Sequence, residues 1–518
     1  MKILLVSNQL EGYANCHLAK RLQSDDHTPR LLETHWYHFI ESDAVREFYA
    51  DHDFDAFRSF QTEYESLYEV DEPTVDWEYL RWFEQERCVN KNLHQLLLTD
   101  PTLQRQQHPR RTYTTIESDQ LLYHWAEKLL RWTEQQIESF DPDLIVTIGR
   151  NQFVKNAAAQ VAMATGRPIR TLIESRIKDY VYFSSNFGLG QDPGAAEYID
   201  DEQLTDDDLS DAVSYRRSFK ESGEALYESQ MMDWMEGTIV DPVEELKRVS
   251  KLHYRHIKRE LTGQKSKYRG GIFARNHFAG DTRQLLWFKR YVVKNRLKYH
   301  YTDIFDRWFE RSIPDRPFVY FPLHYRPESS VLTLTTDYYE EDILRHLSKE
   351  FPAGIEILAK ENPLMIGPRP VSFYEDISDL PNVTLVDPSV PSKRLTAESR
   401  GVTTISGTAL LEAALLNTPT LAFGTPEFVD VLDHQGRDEI SAFVSRCLRD
   451  EGTDGLDRAL RYVQYVLNHG RELDFGALRY RYPDPDAFKS AIDVVYEMLS
   501  EEMAGVSASP MASGSRDP

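Results

Sequence analysis

The chain has 518 residues, with 84 acidic and 60 basic side chains and a formal net charge of −24 at pH 7. This length exceeds one simple core and indicates two or three domains, and the negative charge argues against a nucleic-acid-binding protein. The 41 arginines against 19 lysines are typical of a halophilic protein, whose carboxylates keep its surface hydrated, although an acidic protein from ordinary salt has a similar composition.

The sequence gives no signal for a metal site, a disulfide framework or a membrane span. Its three cysteines, Cys16, Cys88 and Cys447, lack metal-ligand spacing and fit a reducing compartment. No window approaches the ~18 uninterrupted apolar residues of a transmembrane helix. The apolar run at 3–6 is shorter than the core of a signal peptide. We therefore expect a cytoplasmic protein without a metal or other cofactor.

The first half of the chain predicts strands that alternate with helices. Apolar runs indicate strands at 2–6, 144–148 and 169–173, and the amphipathic segments between them indicate helices that include 118–140 and 154–165. Such βαβ repeats are typical of a parallel sheet, and residues 35–110 read as a helical insertion. The predicted strand ends carry polar residues that we assign to acceptor binding or catalysis: Gly149, Arg150, Asn151 and Glu174.

Two segments depart from this pattern. Residues 184–212 combine glycines with an acidic run, which indicates either a mobile surface loop or lid or, more simply, a solvated insertion. Residues 247–298 hold 16 lysines or arginines and only two acids, with aromatic residues interleaved. This basic segment could contact an anionic membrane surface or a polyanionic acceptor, or pair with acidic faces of the same protein.

The second half repeats the pattern, with chemistry suited to phosphate at the strand ends. A strand at 318–322 leads into a loop that contains His324 and Glu328. A strand at 354–359 is followed by Lys360 and Arg369, which are well placed to neutralise a phosphate. Both strand ends therefore suggest a nucleotide site.

A third strand end lies within the stretch VTTISGTALLEAALLNTPTLAFG at 402–424. It reads as a strand, the turn Ser406-Gly407-Thr408, an apolar helix and another strand. Free backbone N–H groups at the start of a helix favour an anion, usually phosphate. An ordinary capped turn is the alternative that this stretch alone leaves open.

The order FPLHYRPESS, LAKENPLMIGPRPVSFYEDI, LPNVTLVDPSVPSKRL, TISGTALLEAALLNTPTLAFG resembles the capsule polysaccharide biosynthesis protein family. That family includes transferases that move Kdo from a CMP-sugar onto a glycolipid. The resemblance covers residues 315–430 well and the rest of the chain loosely. It implies a glycosyltransferase of the metal-independent GT-B type, with two Rossmann-like domains that face a cleft.

The same resemblance implies which residues hold the donor. Asn362 stands where the family usually has a histidine expected to contact the donor phosphate; its amide can donate a hydrogen bond but carries no positive charge. Glu412 would face the ribose hydroxyls. The implied donor-binding residues are Glu328, Lys360, Glu361, Asn362, Pro363, Arg369, Ser406, Gly407, Thr408 and Glu412.

The fold class that we predict is α/β, with helical insertions and a GT-B-like pair of domains. The expected divisions are an acceptor domain at 1–215, a basic helical connection at 216–312, a nucleotide-sugar domain at 313–430, C-terminal helices at 431–504 and a disordered tail at 505–518. The chain lacks the G-x-G-x-x-G of nicotinamide dehydrogenases, the P-loop of ATPases and a suitably placed Asp-x-Asp, which argues against those enzyme classes.

The predicted reaction transfers a sugar from a nucleotide-sugar, a CMP-ulosonic acid or another, to a glycan or glycolipid acceptor. The candidate catalytic groups are Glu174, Asp179 and His324, since a carboxylate in a dry cleft can act as general base or as nucleophile. Three alternatives stay open: a nucleotide-sugar epimerase, a CDP-alcohol polymerase of related fold, and a non-catalytic glycan-binding scaffold.

Overall fold

The computed structural model describes residues 1–7, 11–33, 57–60, 73–98, 119–150, 152–177, 179–187, 190, 192–223, 225–226, 290–300, 302–326, 329–335, 339–478 and 485–508, with a few isolated positions between 247 and 257. The predicted site residues Asn151 and Glu328 lie outside these residues, as do most of the basic segment 247–298 and residues 509–518. No helix among the described residues is long and apolar enough to cross a membrane.

Seven strands form the first sheet, in the order β14-β6-β5-β4-β1-β2-β3. Strands β3, β2, β1, β4 and β5 are parallel, and β6 and β14 continue the sheet in antiparallel pairing. The order 3-2-1-4-5 is that of a Rossmann-like domain. The strands are β1 Lys2–Ser7, β2 Thr28–Glu33, β3 Phe57–Ser59, β4 Leu144–Ile148, β5 Ile169–Glu174, β6 Tyr180–Ser184 and β14 Arg471–Glu472.

Helices cover both faces of the first sheet because its strands are apolar on both sides. Leu4 and Val6 of β1 point into one core, while Ile3 and Leu5 point into the other. The helices of this half are α1 Gly12–Ser24, α2 Trp77–Glu86, α3 Leu93–Leu98, α4 Asp119–Phe140, α5 Phe153–Ala164, α6 Pro193–Ile199 and α7 Ser210–Glu221.

The second sheet also has seven strands, in the order β13-β12-β11-β8-β9-β10-β7, and all of its recorded pairs are parallel. From β8 onward this is again the order 3-2-1-4-5-6 of a Rossmann-like domain, with β7 added at one edge. The strands are β7 Phe309–Glu310, β8 Phe318–Pro322, β9 Glu356–Lys360, β10 Val383–Val386, β11 Val402–Thr404, β12 Thr420–Ala422 and β13 His434–Gln435.

The closing helices connect the two domains. α14 packs against α6, α7 and β6 of the first half and against α12 of the second, while α15 returns to α1 and β6. The helices of this half are α8 Ser329–Leu334, α9 Glu340–Glu350, α10 Val371–Ser378, α11 Ser392–Glu398, α12 Ala409–Leu415, α13 Ile440–Arg449, α14 Leu456–His469 and α15 Pro485–Ala508. The predicted α/β fold with two Rossmann-like domains is thus confirmed.

Two local predictions need correction. Residues 184–212 were expected to form a mobile loop or lid, or a solvated insertion. In the described part, 193–199 form α6 and 210–212 begin α7, whereas the acidic residues 200–208 between these helices form mostly exposed turns, as expected of a solvated insertion. The Asp192 side chain caps α6 by accepting a hydrogen bond from Ala195 N, and the buried Ile199 and Ala212 lie in a core shared with α14. The tail expected to be disordered from 505 instead continues α15 to Ala508.

Candidate functional site

The candidate site lies where the strand order of the second sheet reverses. β8 has β9 on one side and β11 on the other, so the chain leaves β8 in one direction and returns later on the opposite side. In open α/β sheets, ligands bind beyond the carboxyl ends of the strands at such a reversal. The three predicted phosphate motifs follow β8, β9 and β11, which are the adjacent central strands.

His324 occupies this reversal point. It is buried two residues after β8, and its Nε2 lies 3.0 Å from Thr404 Oγ1 at the end of β11. The backbone N–H of Ser406 points at the same nitrogen from 3.5 Å. A Cβ placed on Gly407 would lie 3.5 Å from His324 Cε1, so the edge of the imidazole faces the glycine of the turn. The structure therefore brings together two motifs that are 82 residues apart.

The turn after β11 supplies a buried hydroxyl. Ser406 is 1% exposed, and its Oγ has no hydrogen-bond partner among the described residues. A buried hydroxyl without a hydrogen bond lowers the stability of the fold unless a ligand or a water molecule supplies the missing partner. Thr408 follows at the start of α12, and its side chain makes no capping hydrogen bond there. Ser406 thus places an unpartnered hydroxyl, among the described residues, at the reversal point.

Lys360 ends β9 on the other side of His324. Its side chain is 4% exposed, and its Nζ donates a 2.5 Å hydrogen bond to Ser392 Oγ at the start of α11. The backbone N–H of Leu323 donates to Lys360 O at 2.9 Å, which holds the ends of β8 and β9 together. The ammonium is therefore fixed between the carboxyl ends of β9 and β10.

Arg369, predicted to contact the donor phosphate, lies instead in a buried ion-pair network. Its Nη1 is 2.9 Å from Glu340 Oε2, and its Nη2 is 3.1 Å from Glu361 Oε1. Burial alone would lower the pKa of Arg369, but the two carboxylates outweigh it and raise that pKa above its ordinary value. Burial raises the pKa of Glu361, although Arg369 and a 2.8 Å hydrogen bond from Tyr374 oppose the shift.

This network positions His324. Arg369 Nη2 donates to His324 O at 2.9 Å, and the backbone N–H of His324 donates to Glu340 Oε1. Arg369 and Glu361 are both almost fully buried, and the guanidinium forms ion pairs with Glu340 and Glu361. Their geometry favours a role in fixing the loop after β8 over direct contact with a ligand.

The remaining donor candidates have structural partners. Asn362 Oδ1 accepts from Leu364 N at 3.0 Å and caps the 3₁₀ turn Pro363–Met365. Glu412 is buried in α12, and its Oε1 accepts from Leu226 N at 2.7 Å, so its carboxylate faces the segment after α7.

The carboxyl edge of the first sheet faces that of the second. Arg150 follows β4 and Arg176 follows β5, and both point at Glu427, which lies just after β12. The distances are 2.9 Å from Arg176 Nε and 3.8 Å from Arg150 Nη2. Burial alone would raise the pKa of Glu427, but the two guanidiniums outweigh it and hold that pKa below its ordinary value.

Sequence reasoning missed Glu427, because a glutamate five residues beyond a strand has no distinctive pattern. It also missed the buried pair of Lys155 Nζ and Glu11 Oε2, 3.1 Å apart, at the corresponding edge of the first sheet. A lysine inside an apolar helix such as FVKNAAAQVAMA was the one signal that could have revealed this pair.

The predicted catalytic carboxylates lie on the β5–β6 hairpin. Glu174 ends β5 with an exposed side chain, and Asp179 adopts a left-handed conformation with φ 63° just before β6. Gly149 also has positive φ, 71°, and its N–H donates to Leu172 O at 2.8 Å, which closes the end of β4. Arg176 lies in the turn of this hairpin, so both carboxylates are close in the chain to the ion pair between Arg176 and Glu427, where the two domains meet.

Comparison with protein-family models gives no match, and comparison with curated proteins gives none either. Among solved structures, the chain is similar to Thermosulfurimonas dismutans KpsC, beta Kdo 2,4 transferase (12% identity, 62% of this chain and 79% of that chain, TM-score 0.31). It is also similar to a putative UDP-N-acetylglucosamine 2-epimerase from Listeria monocytogenes (10% identity, 89% and 90%, TM-score 0.24). A third similar structure is Anabaena Alr3699/HepE in complex with UDP and glucose (10% identity, 98% of this chain and 100% of that chain, TM-score 0.24). At these TM-scores the similarities carry no argument about function, so the proposals below rest on this chain's own residues.

Proposed function

We propose that this chain is a metal-independent glycosyltransferase of the GT-B type, which moves a sugar from a nucleotide-sugar to a glycan or glycolipid in the synthesis of a surface polysaccharide. The observation that carries the proposal is the convergence of His324, Ser406 and Lys360 at the ends of three adjacent strands, where the order of the second sheet reverses. These side chains supply hydrogen-bond donors and a positive charge for one anionic ligand.

In this proposal the second domain holds the nucleotide. Ser406 and Lys360 stabilise the phosphate that leaves when the bond between the sugar carbon and the phosphate oxygen breaks. His324, held by Arg369 and Glu340, lies beside that phosphate. Arg369 and Glu361 position the loop and do not touch the donor.

The first domain presents the acceptor across the junction marked by Glu427. The acceptor hydroxyl attacks the sugar carbon as the phosphate departs, and its proton passes to Glu174 or Asp179. Arg150 lies on the same edge and orients the acceptor. A peripheral contact of the basic segment 247–298 with the inner face of a membrane would supply a glycolipid.

The test is to incubate the protein with sugar nucleotides based on CMP, UDP, GDP and ADP and, separately, with a CDP-alcohol, with and without oligosaccharide or glycolipid acceptors, and to analyse every product. Release of nucleotide that depends on acceptor, with a lengthened glycan, supports the proposal. An isomer of the sugar nucleotide formed without acceptor would identify an epimerase, and release of CMP from a CDP-alcohol would identify a polymerase. Tight nucleotide binding without turnover would identify a scaffold.

The control variants separate binding from folding. Ser406→Ala and His324→Ala remove groups at the reversal point, whereas Lys349→Met changes an exposed lysine on α9 of the same domain. The proposal requires the first two variants to lose transfer while they still unfold cooperatively as folded proteins, and the third to retain full activity.

A further inference from the structure

Lys91 is a buried cation in a surrounding that disfavours a positive charge. It precedes α3, is 5% exposed, and its Nζ donates a 3.2 Å hydrogen bond to the neutral Asn156 Oδ1. Within the part of the chain that the structure describes, no carboxylate lies within ion-pair distance of this ammonium. A buried lysine normally needs a counter-charge.

Among the described residues, the groups around Lys91 are positive rather than negative. Asn156 belongs to the first turn of α5, the positive end of a twelve-residue helix. Its Nδ2 donates to Arg150 O at 3.0 Å, so the same side chain connects Lys91 to the end of β4. Burial and the nearby Arg150 guanidinium lower the pKa of Lys91 to about 7.

A second buried polar group lies at the start of the same helix. Gln152 is the residue before α5, has φ 87° and is 8% exposed, and its Oε1 has no hydrogen-bond partner among the described residues. Its backbone is in a conformation that costs free energy for a residue other than glycine. Strain of this kind concentrates at ligand-binding positions.

We propose that Lys91 and Arg150 form an oxyanion-binding subsite in the first domain, and that the acceptor carries a carboxylate or phosphate group that occupies it. This inference rests on the proposed function, since it names the chemistry of the second substrate. Lys91 supplies a point charge and Arg150 supplies planar donors that suit a carboxylate or phosphate. Glu427 neutralises Arg150 from the other domain until the anion arrives.

The geometry distinguishes this subsite from the donor site. Arg150 follows β4 at the reversal between β1 and β4 of the first sheet, whereas Ser406 and Lys360 lie at the reversal of the second sheet. Two anion sites on facing domains suit a reaction between a nucleotide-sugar and an anionic acceptor. A neutral acceptor would leave the Lys91 charge uncompensated.

The test measures binding by calorimetry of inorganic phosphate, D-glucuronate and D-glucose in the presence of saturating CMP or UDP, whichever binds. If neither binds, the same titrations are made without nucleotide, so that failure of the donor site is recorded separately. The wild type is expected to bind phosphate and glucuronate but not glucose. Lys91→Met and Arg150→Gln are each expected to weaken both anions by tenfold or more while leaving nucleotide affinity unchanged.

Two further measurements keep the proposal falsifiable. Lys91→Met should melt at or above the wild-type temperature, because methionine replaces a buried charge that lacks an opposite one; a fall of several degrees would overturn the proposal in favour of a purely structural lysine. Equal anion affinity in Lys91→Met, Lys349→Met and the wild type would also overturn it. A loss of nucleotide affinity in Lys91→Met would assign the cation to the donor instead, and likewise refute it.

Discussion

Replacement of Arg369 by methionine tests whether this guanidinium belongs to the scaffold or to the donor site. Methionine fills the apolar part of the space but leaves Glu340 and Glu361 without their shared cation, in a place that solvent does not reach. Glu340 Oε2 lies 2.9 Å from Arg369 Nη1, and Glu361 Oε2 lies 2.6 Å from Arg369 Nε. Breaking a buried pair by removing one partner costs roughly 3–5 kcal/mol.

The assay is thermal unfolding by calorimetry at pH 7. A domain of this size loses roughly 2–4 °C of melting temperature per kcal/mol, so the transition of the second domain should fall by roughly 6–20 °C. The triple variant Glu340→Gln/Glu361→Gln/Arg369→Met should recover most of the loss, because it removes the uncompensated charges together with the cation. Unchanged melting of Arg369→Met combined with a tenfold loss of nucleotide affinity would refute the reasoning and make Arg369 a donor ligand.

Three other outcomes follow from the same contacts. Lys91 has a pKa of about 7 in the folded protein, against an ordinary value of 10.5. Between these two pH values the unfolded chain binds one more proton than the folded protein, so the free energy of unfolding rises with pH. In denaturant unfolding, the wild type should gain roughly 1.4 kcal/mol of stability per pH unit relative to Lys91→Met, and parallel pH profiles of the two proteins would contradict this. Glu427→Gln should lower the free energy of unfolding by roughly 1–3 kcal/mol above pH 4.5. This difference from the wild type should disappear as the pH falls through the lowered pKa of Glu427, and a difference that persists in acid would exclude the ion pair as its cause. Asn362→Ala should lower the free energy of unfolding by about 1 kcal/mol, because the hydrogen bond from Leu364 N is lost, and should leave nucleotide affinity unchanged. Weaker nucleotide affinity at unchanged stability would instead support the phosphate contact that the resemblance implies.

Much of the fold could be predicted from the sequence, because its central strands are short and apolar and are separated by residues that favour turns. The predicted strands 144–148 and 318–322 agree with β4 and β8 to the residue. The antiparallel strands β6 and β14 were not predicted, since β14 has only two residues and pairs with a strand about 290 positions earlier in the chain. Such pairings depend on tertiary contacts that no local pattern reports.

Only part of the candidate site could be predicted from the sequence. Strand-end motifs indicated His324, Lys360 and Ser406, and the strand order explains why all three lie at the ends of adjacent strands. The sequence could not show that Arg369 pairs with Glu340, because that partner lies on a helix 29 residues away. A charged residue after a strand predicts the edge of a sheet, but only packing decides whether the charge faces a ligand or a buried partner.

Calorimetric titration of CMP, CDP, UDP, GDP and ADP into the wild type, Ser406→Ala, Lys360→Met and Lys349→Met tests the central claim most directly. The account predicts that the wild type and Lys349→Met bind one nucleotide selectively, and that Ser406→Ala and Lys360→Met, shown to be folded by thermal unfolding, bind it at least tenfold more weakly. Equal nucleotide affinity in all four proteins, or no binding by a folded wild type, would contradict a donor site at the reversal point of the second sheet.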